Sequence, residues 1–245
     1  MRNSAFALIL ILTACATTTI MDKVKVSDGY YMKGLSHLQN KNYELALVEF
    51  QRSIQTDDKN IKSLYALGII SDSQGKLQDA EKYYKTVLAI DSHYSEAYNA
   101  LGTVYSKQER WQDALDAFHK ALENKLYTTP HLTYLNMART YMAQKNYEKA
   151  IAAYRESKFF ANYDLTMYEL GTALFEDGRT MEAIREFQEG VSLAPNNVNI
   201  RYGLALALLK EGNKKAALAE FNKTIELAPQ SDLARKARDF ITTLR

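Results

Sequence analysis

The chain has 245 residues, and its 31 Lys and Arg nearly balance 29 Asp and Glu, for a formal charge of +2. The two signs are mixed along the chain, which excludes the basic stripe that nucleic-acid binding requires. Apolar residues make up 47% with only 3 Pro and 10 Gly, the composition of a well-packed fold, and a single cysteine excludes both an internal disulfide and a multi-cysteine metal site.

At the amino end Arg2 precedes an apolar run, Ala5 to Leu12, which Leu12-Thr13-Ala14-Cys15 closes with small residues ahead of the thiol. The run is shorter than the roughly 20 residues of a membrane-spanning helix. Residues 1–14 therefore read as an export signal, in preference to a permanent transmembrane anchor or a buried amino-terminal helix. Leu-Thr-Ala-Cys resembles the lipobox of bacterial lipoproteins. That resemblance implies cleavage before Cys15 and lipidation of Cys15, by acyl chains such as palmitate. By the same resemblance Ala16, standing where Asp would favour the inner membrane, implies the periplasmic face of the outer membrane. Residues 15–26 include three consecutive threonines and lack helical periodicity, and they are expected to form a short tether.

From residue 27 the chain matches itself at a period of about 34 residues. The markers are Gly34, Ala46 and Phe50; Gly68, Ala80 and Tyr84; Gly102, Ala114 and Phe118; Ala138, Ala150 and Tyr154; Gly171, Ala183 and Phe187; and Ala205, Ala217 and Phe221. Successive first markers lie 34, 34, 36, 33 and 34 residues apart. A small residue on one helix and a small residue plus an aromatic on the next let two antiparallel helices approach and fill their seam. Polar turns such as Ser73-Gln74-Gly75-Lys76 and Glu176-Asp177-Gly178-Arg179 join the two helices, and Pro195 and Pro229 direct the chain onward.

The fullest copy, Tyr98-x-x-Leu101-Gly102-x-x-Tyr105 followed by Ala114, Phe118 and Ala121, resembles the tetratricopeptide repeat. The fold expected is all-α: a tetratricopeptide-repeat superhelix (α-solenoid) of six helix-turn-helix repeats, beginning near 27, 61, 95, 131, 164 and 198. Leu233, Ala234, Ala237, Phe240 and Ile241 at helical spacing predict a capping helix over 231–244. The first repeat, with Lys33 at a position that is usually aliphatic, is the weakest copy and is expected to fray. The single insertion, residues 123–130, reads either as a tolerated surface insertion or as a contact loop.

The register places Tyr31, Tyr65, Asn99, Leu135, Tyr168 and Tyr202 at equivalent inward positions of successive first helices, with Arg139 one turn beyond Leu135. These residues form the candidate protein-binding concave face, since tyrosine offers apolar area with a polar handle. The competing reading is that the tyrosines pack against neighbouring repeats. Asn99 lacks the cationic companions of a carboxylate clamp, which favours mixed or hydrophobic recognition. His37, His93, His119 and His131 are isolated, and no phosphate loop, nucleophile elbow or paired metal-binding histidines occur. No enzyme activity, cofactor, metal or small-molecule substrate is expected.

The lipobox, short tether, six repeats and the link bearing Asn124-Lys125-Leu126-Tyr127 and Pro130 together resemble the type IV pilus biogenesis and stability lipoproteins, the PilF/PilW-like pilotins. That resemblance implies an adaptor that binds secretin subunits and aids their outer-membrane localisation and assembly. The alternative is a general envelope scaffold that organises peptidoglycan enzymes or another secretion complex.

Overall fold

The computed structural model describes residues 3–161 and 163–244, with the side chains of 3–20 and of 244 outside the description. The expected export signal and the lipidation at Cys15 thus fall outside the fully described residues. Thirteen helices and no strand occur among the described residues. They divide into two compact units, Met1–Lys125 and Leu126–Arg245.

The first unit contains α1 (Asn3–Gln39), α2 (Tyr43–Thr56), α3 (Ile61–Ser73), α4 (Leu77–Ile90), α5 (Ser95–Lys107) and α6 (Trp111–Glu123). The second contains α7 (Pro130–Ala143), α8 (Tyr147–Phe160), α9 (Asp164–Glu176), α10 (Thr180–Leu193), α11 (Val198–Lys210), α12 (Lys214–Leu227) and α13 (Asp232–Leu244). Within each unit every helix packs on the next, so each unit is a stack of three hairpins, and α13 closes the second stack. From the second repeat on, the first helices begin at 61, 95, 130, 164 and 198, within one residue of the expected register. Pro130 opens α7, where a missing N–H costs no helical hydrogen bond.

The marker residues form the core. Each marker alanine on a second helix is fully buried, and so are Phe50, Phe118 and Phe221, while Tyr84, Tyr154 and Phe187 keep at most 2% of their surface. A Cβ placed on Gly34, Gly102 or Gly171 would come within 2.5, 2.6 and 2.6 Å of the Phe50, Phe118 and Phe187 rings respectively. Helix spacing in the hairpin is thus set by a missing side chain on one partner and a ring on the other.

Six hairpin turns share one geometry, with Lys41, Gly75, Glu109, Lys145, Gly178 and Gly212 at φ between 58° and 81°. In the third, the Glu109 N–H donates to Ser106 O at 3.0 Å and the Arg110 N–H to Tyr105 O at 2.9 Å, the paired bonds of a Schellman motif. Left-handed backbone costs a residue with a Cβ about 1–2 kcal/mol, against roughly 0.5–1 kcal/mol for the greater unfolded-state freedom of glycine. Glu109→Gly is therefore expected to raise the unfolding free energy by about 0.5–1 kcal/mol, read from equilibrium denaturant melts. A destabilised variant would mean that the Glu109 side chain holds the turn.

The first repeat, expected to fray, is closed like the others. Lys33 is exposed, with its ammonium 5.4 Å from the Tyr30 ring centroid, so no charge enters the seam. Buried Ser27 and Ser53 lie 2.8 Å apart, oxygen to oxygen. Ser63 Oγ donates to Ser53 Oγ at 2.7 Å and Asn60 Nδ2 to Ser27 Oγ at 3.0 Å. These partnered hydroxyls seal the first repeat against the second.

Helical backbone also replaces the irregular tether expected before residue 27: α1 runs through it, and residues 21–26 are exposed. Met21-Asp22-Lys23-Val24-Lys25-Val26 contains neither Gly nor Pro, so nothing interrupts the helix ahead of buried Ser27. At the other end the Ala234 N–H donates to Ser231 Oγ at 3.1 Å, which caps α13. Ala234 and Ala237 are fully buried, and Phe240 stacks on Phe221 at 5.3 Å.

Candidate functional site

The inward tyrosines repeat one contact. The rings of Tyr31, Tyr65 and Tyr202 lie 5.8, 5.7 and 5.7 Å from Phe50, Tyr84 and Phe221, the marker aromatics of their own repeats. Tyr168 leans on Phe187 at 6.4 Å in the same way. All four are half-buried. Each ring therefore packs on its own hairpin, where packing against neighbouring repeats was the competing expectation, and keeps part of its surface open.

In the first unit Tyr65 also lies 5.4 Å from Tyr94, the Lys62 ammonium sits 5.9 Å from the Tyr31 ring, and the Asn99 carbonyl accepts from Thr103 Oγ1 at 3.1 Å. In the second unit Leu135 is 7% exposed and belongs to the core rather than to the surface. Arg139 is exposed but engaged: its Nε donates to Glu169 Oε2 at 2.9 Å and its Nη2 to Glu169 Oε1 at 2.5 Å. This bidentate pair joins α7 to α9 and neutralises the one cation on the predicted face. Burial, then the Glu169 charge, keeps the neighbouring Tyr154 phenol well above its ordinary pKa and hence neutral.

Tyr168 and Tyr202 line a cavity of about 160 Å³ within the second unit, together with Phe187, Leu206, Leu233 and Gly203. Burial pushes the Tyr202 phenol up, and Asp232 and Asp239 add to this against the pull of Lys236. Both tyrosines were legible from the repeat register; the cavity was not. Its sequence signal is Gly203 inside a helix, at a place where the two preceding repeats carry Glu169 and Asn136.

Two further features were missed. Phe159, Phe160 and Tyr163 are 82%, 51% and 56% exposed, with Tyr134 stacked on Phe160 at 5.8 Å, although no repeat position requires aromatics there. Acidic and basic residues pair between helices as well as along them. Lys158 on α8 donates to Glu186 at 2.8 Å and Glu189 at 2.7 Å on α10, and Lys107 on α5 reaches Asp72 on α3 at 2.7 Å. In the link, Tyr127 is buried and its hydroxyl accepts from Thr133 Oγ1 at 3.2 Å, while Leu126 is 87% exposed. Among the described residues, no cluster of three or more His, Cys, Asp or Glu is placed to hold a metal, and no helix is long and apolar enough to cross a membrane.

Family profiles described as tetratricopeptide repeat match residues 27–60, 63–96, 95–125, 132–158 and 168–232, together most of the chain. The type IV pilus assembly protein PilF of Pseudomonas aeruginosa is 25% identical over 160 residues, which is 60% of this chain and 64% of PilF. The human intraflagellar transport protein 88 homolog is 29% identical over 113 residues, 44% of this chain and 14% of that protein. The chain thus spans less than two thirds of either curated relative. Among solved structures, PilW, described as a widely conserved type IV pilus biogenesis factor, superposes with a TM-score of 0.79 at 19% identity over 86% of this chain and 97% of PilW. The Pseudomonas aeruginosa PilF structure superposes with a TM-score of 0.75 at 18% identity over 89% of this chain and 99% of that one. The chain therefore resembles type IV pilus biogenesis factors in sequence and fold.

Proposed function

Because the chain belongs to the tetratricopeptide-repeat family, we propose that it is a lipid-anchored adaptor of type IV pilus biogenesis that holds a segment of a secretin subunit on the first-helix faces of its repeats. The observation that carries this reading is the near end-to-end correspondence with PilF and PilW, added to the sequence match with PilF. The match to intraflagellar transport protein 88 has a somewhat higher identity but covers a small part of a much longer protein, as a shared repeat alone would produce. Anchorage rests on Leu12-Thr13-Ala14-Cys15, and the outer membrane on Ala16.

The proposed role is binding without catalysis. The inward faces offer half-buried tyrosine rings whose inner sides are already fixed by the marker aromatics. A partner segment therefore meets preorganised apolar surface and loses little entropy in ordering it. Leu135 adds stiffness from beneath, and the Arg139–Glu169 pair removes net charge. Such a face suits an extended or helical protein segment of mixed polarity.

Capture of envelope proteins from a solubilised membrane fraction tests this reading. The immobilised repeat domain is expected to retain a secretin subunit, and Tyr168→Ala combined with Tyr202→Ala to reduce the retained amount about tenfold or more. Recovery of peptidoglycan synthases or hydrolases without secretin would replace the pilus reading with the general scaffold.

A further inference from the structure

The first hairpin has no repeat ahead of it, and its open side is apolar. Met32 stands where the fifth repeat places Glu169, and Leu45 where it places Glu182. Both of those carboxylates reach back to the preceding repeat, to Arg139 and Arg155. Met32 and Leu45 therefore face the side on which no repeat stands, and they are 61% and 51% exposed. Val48, one turn beyond Leu45 on α2, is 40% exposed. At the place of Leu45 the next four repeats carry Asp79, Asp113, Lys149 and Glu182, and the sixth Ala216, so a large apolar side chain there is peculiar to the first.

The second unit ends differently. Its closing helix, α13, leaves Arg235, Arg238, Asp239 and Thr242 exposed, the polar outer face that keeps a terminal repeat soluble. An apolar end in that role calls for a cover.

We propose that this end of the first hairpin rests on a phospholipid bilayer surface. The proposal depends on the lipid-anchor reading above and not on the identity of any protein partner. Chain length selects the occupant. Cys15 lies twelve residues before buried Ser27, a span of about 18 Å as helix and about 40 Å fully extended. A lipid at Cys15 thus keeps the first hairpin within reach of the bilayer. Met21, Val24 and Val26 are exposed along the connecting helix, so apolar surface continues towards the anchor.

Charge permits the contact. Between residues 21 and 56 five cations, among them Lys23 and Lys25, stand against four anions, a net +1, so an anionic headgroup layer is not repelled. The contact is weak by itself. A few half-exposed aliphatic side chains bury less apolar area than one acyl chain, which alone binds only marginally. On a short tether the effective concentration is on the order of millimolar, and there even a weak contact is populated. Without the anchor the protein therefore still leaves the membrane.

A dye at position 32 tests this, since Cys15 is the one cysteine of the chain and its thiol is spent on the lipid. The acylated Met32→Cys protein, labelled with a nitrobenzoxadiazole dye, is placed on vesicles of phosphatidylethanolamine and phosphatidylglycerol, some of whose acyl chains carry a nitroxide quencher. Quenching is expected to be about fivefold or more greater than for the same dye on Asp116→Cys, an exposed position of α6. Leu45→Asp with Val48→Lys gives the first repeat the charges that the second carries at Asp79 and Lys82. Both positions lie on the surface, so folding is spared, and quenching at 32 should fall to the level seen at 116.

Equal quenching at the two positions, or quenching at 32 that survives the double substitution, would overturn the proposal. So would a dye at 32 that is shielded only as protein density on the vesicles rises, which would make the cover a second copy of the chain. Protein that carries the acyl mass and sediments with the vesicles, yet shows no excess quenching at 32, would leave the anchor reading standing and remove this one. Protein without the acyl mass would remove both.

Discussion

Phe187→Ala is expected to lower the unfolding free energy by about 3–5 kcal/mol, the usual range for removing a fully buried ring. The ring keeps 1% of its surface and touches three places at once. It fills the space beside Gly171 in its own hairpin, closes on Gly203 in the next, and supports Tyr168. Neither glycine can grow a side chain to refill the hole, and the hole would open into an existing cavity, so relaxation recovers little of the loss. Repeat stability is a sum of local and nearest-neighbour contributions, and this ring serves both. Phe159→Ala is the control: with 82% of its surface exposed, its loss should change stability by no more than about 0.5 kcal/mol. Denaturant melts of the two variants decide the matter, and a loss below about 1 kcal/mol for Phe187→Ala would mean that the seam is not packed around this ring.

Cys15→Ser is expected to move the protein from the membrane fraction to the soluble fraction while leaving the thermal melt of the repeats unchanged. Buried acyl carbons contribute about 0.8 kcal/mol each, and stable anchorage needs more than one chain, because a single myristoyl-sized chain binds only with a constant of about 10⁴ M⁻¹. Loss of the acceptor thiol removes every chain attached to it. No described helix offers an apolar span in its place. The hairpin seams begin at Ser27, beyond Cys15 in the chain, so folding should be indifferent to the substitution. Variant protein that still sediments with outer membranes, or a parent protein without an acyl mass shift, would remove Cys15 as the anchor.

The hairpins were legible because a seam between two helices imposes its own period: Gly or Ala, then Ala twelve residues later, then an aromatic four beyond. The αL turns were only half legible. Gly75, Gly178 and Gly212 announce themselves, whereas Lys41, Glu109 and Lys145 take the same conformation under the compulsion of the paired turn bonds. Lys33 misled in the opposite direction, since a side chain can place its charge in solvent while its backbone holds the repeat register. The helix through residues 21–26 leaves no amphipathic trace in the sequence, because a helix exposed on all sides has no apolar period.

Sequence by itself determined the all-α architecture, the hairpins from a spacing repeated six times and the capping helix from its own helical period, and it offered the tyrosine positions as an expectation of the same register. Only the tertiary structure decided which of those positions are surface and which are core. Leu135 sank into the packing, Arg139 was neutralised by Glu169 from the next repeat, and Thr172 with Gly203 left a hollow where the preceding repeat is full. A cavity is a property of what faces what across two helices, and its volume depends on residues about 30 positions apart whose side chains must be summed in space. Periodicity along the chain records which residues face inward; it carries no measure of the room left between them.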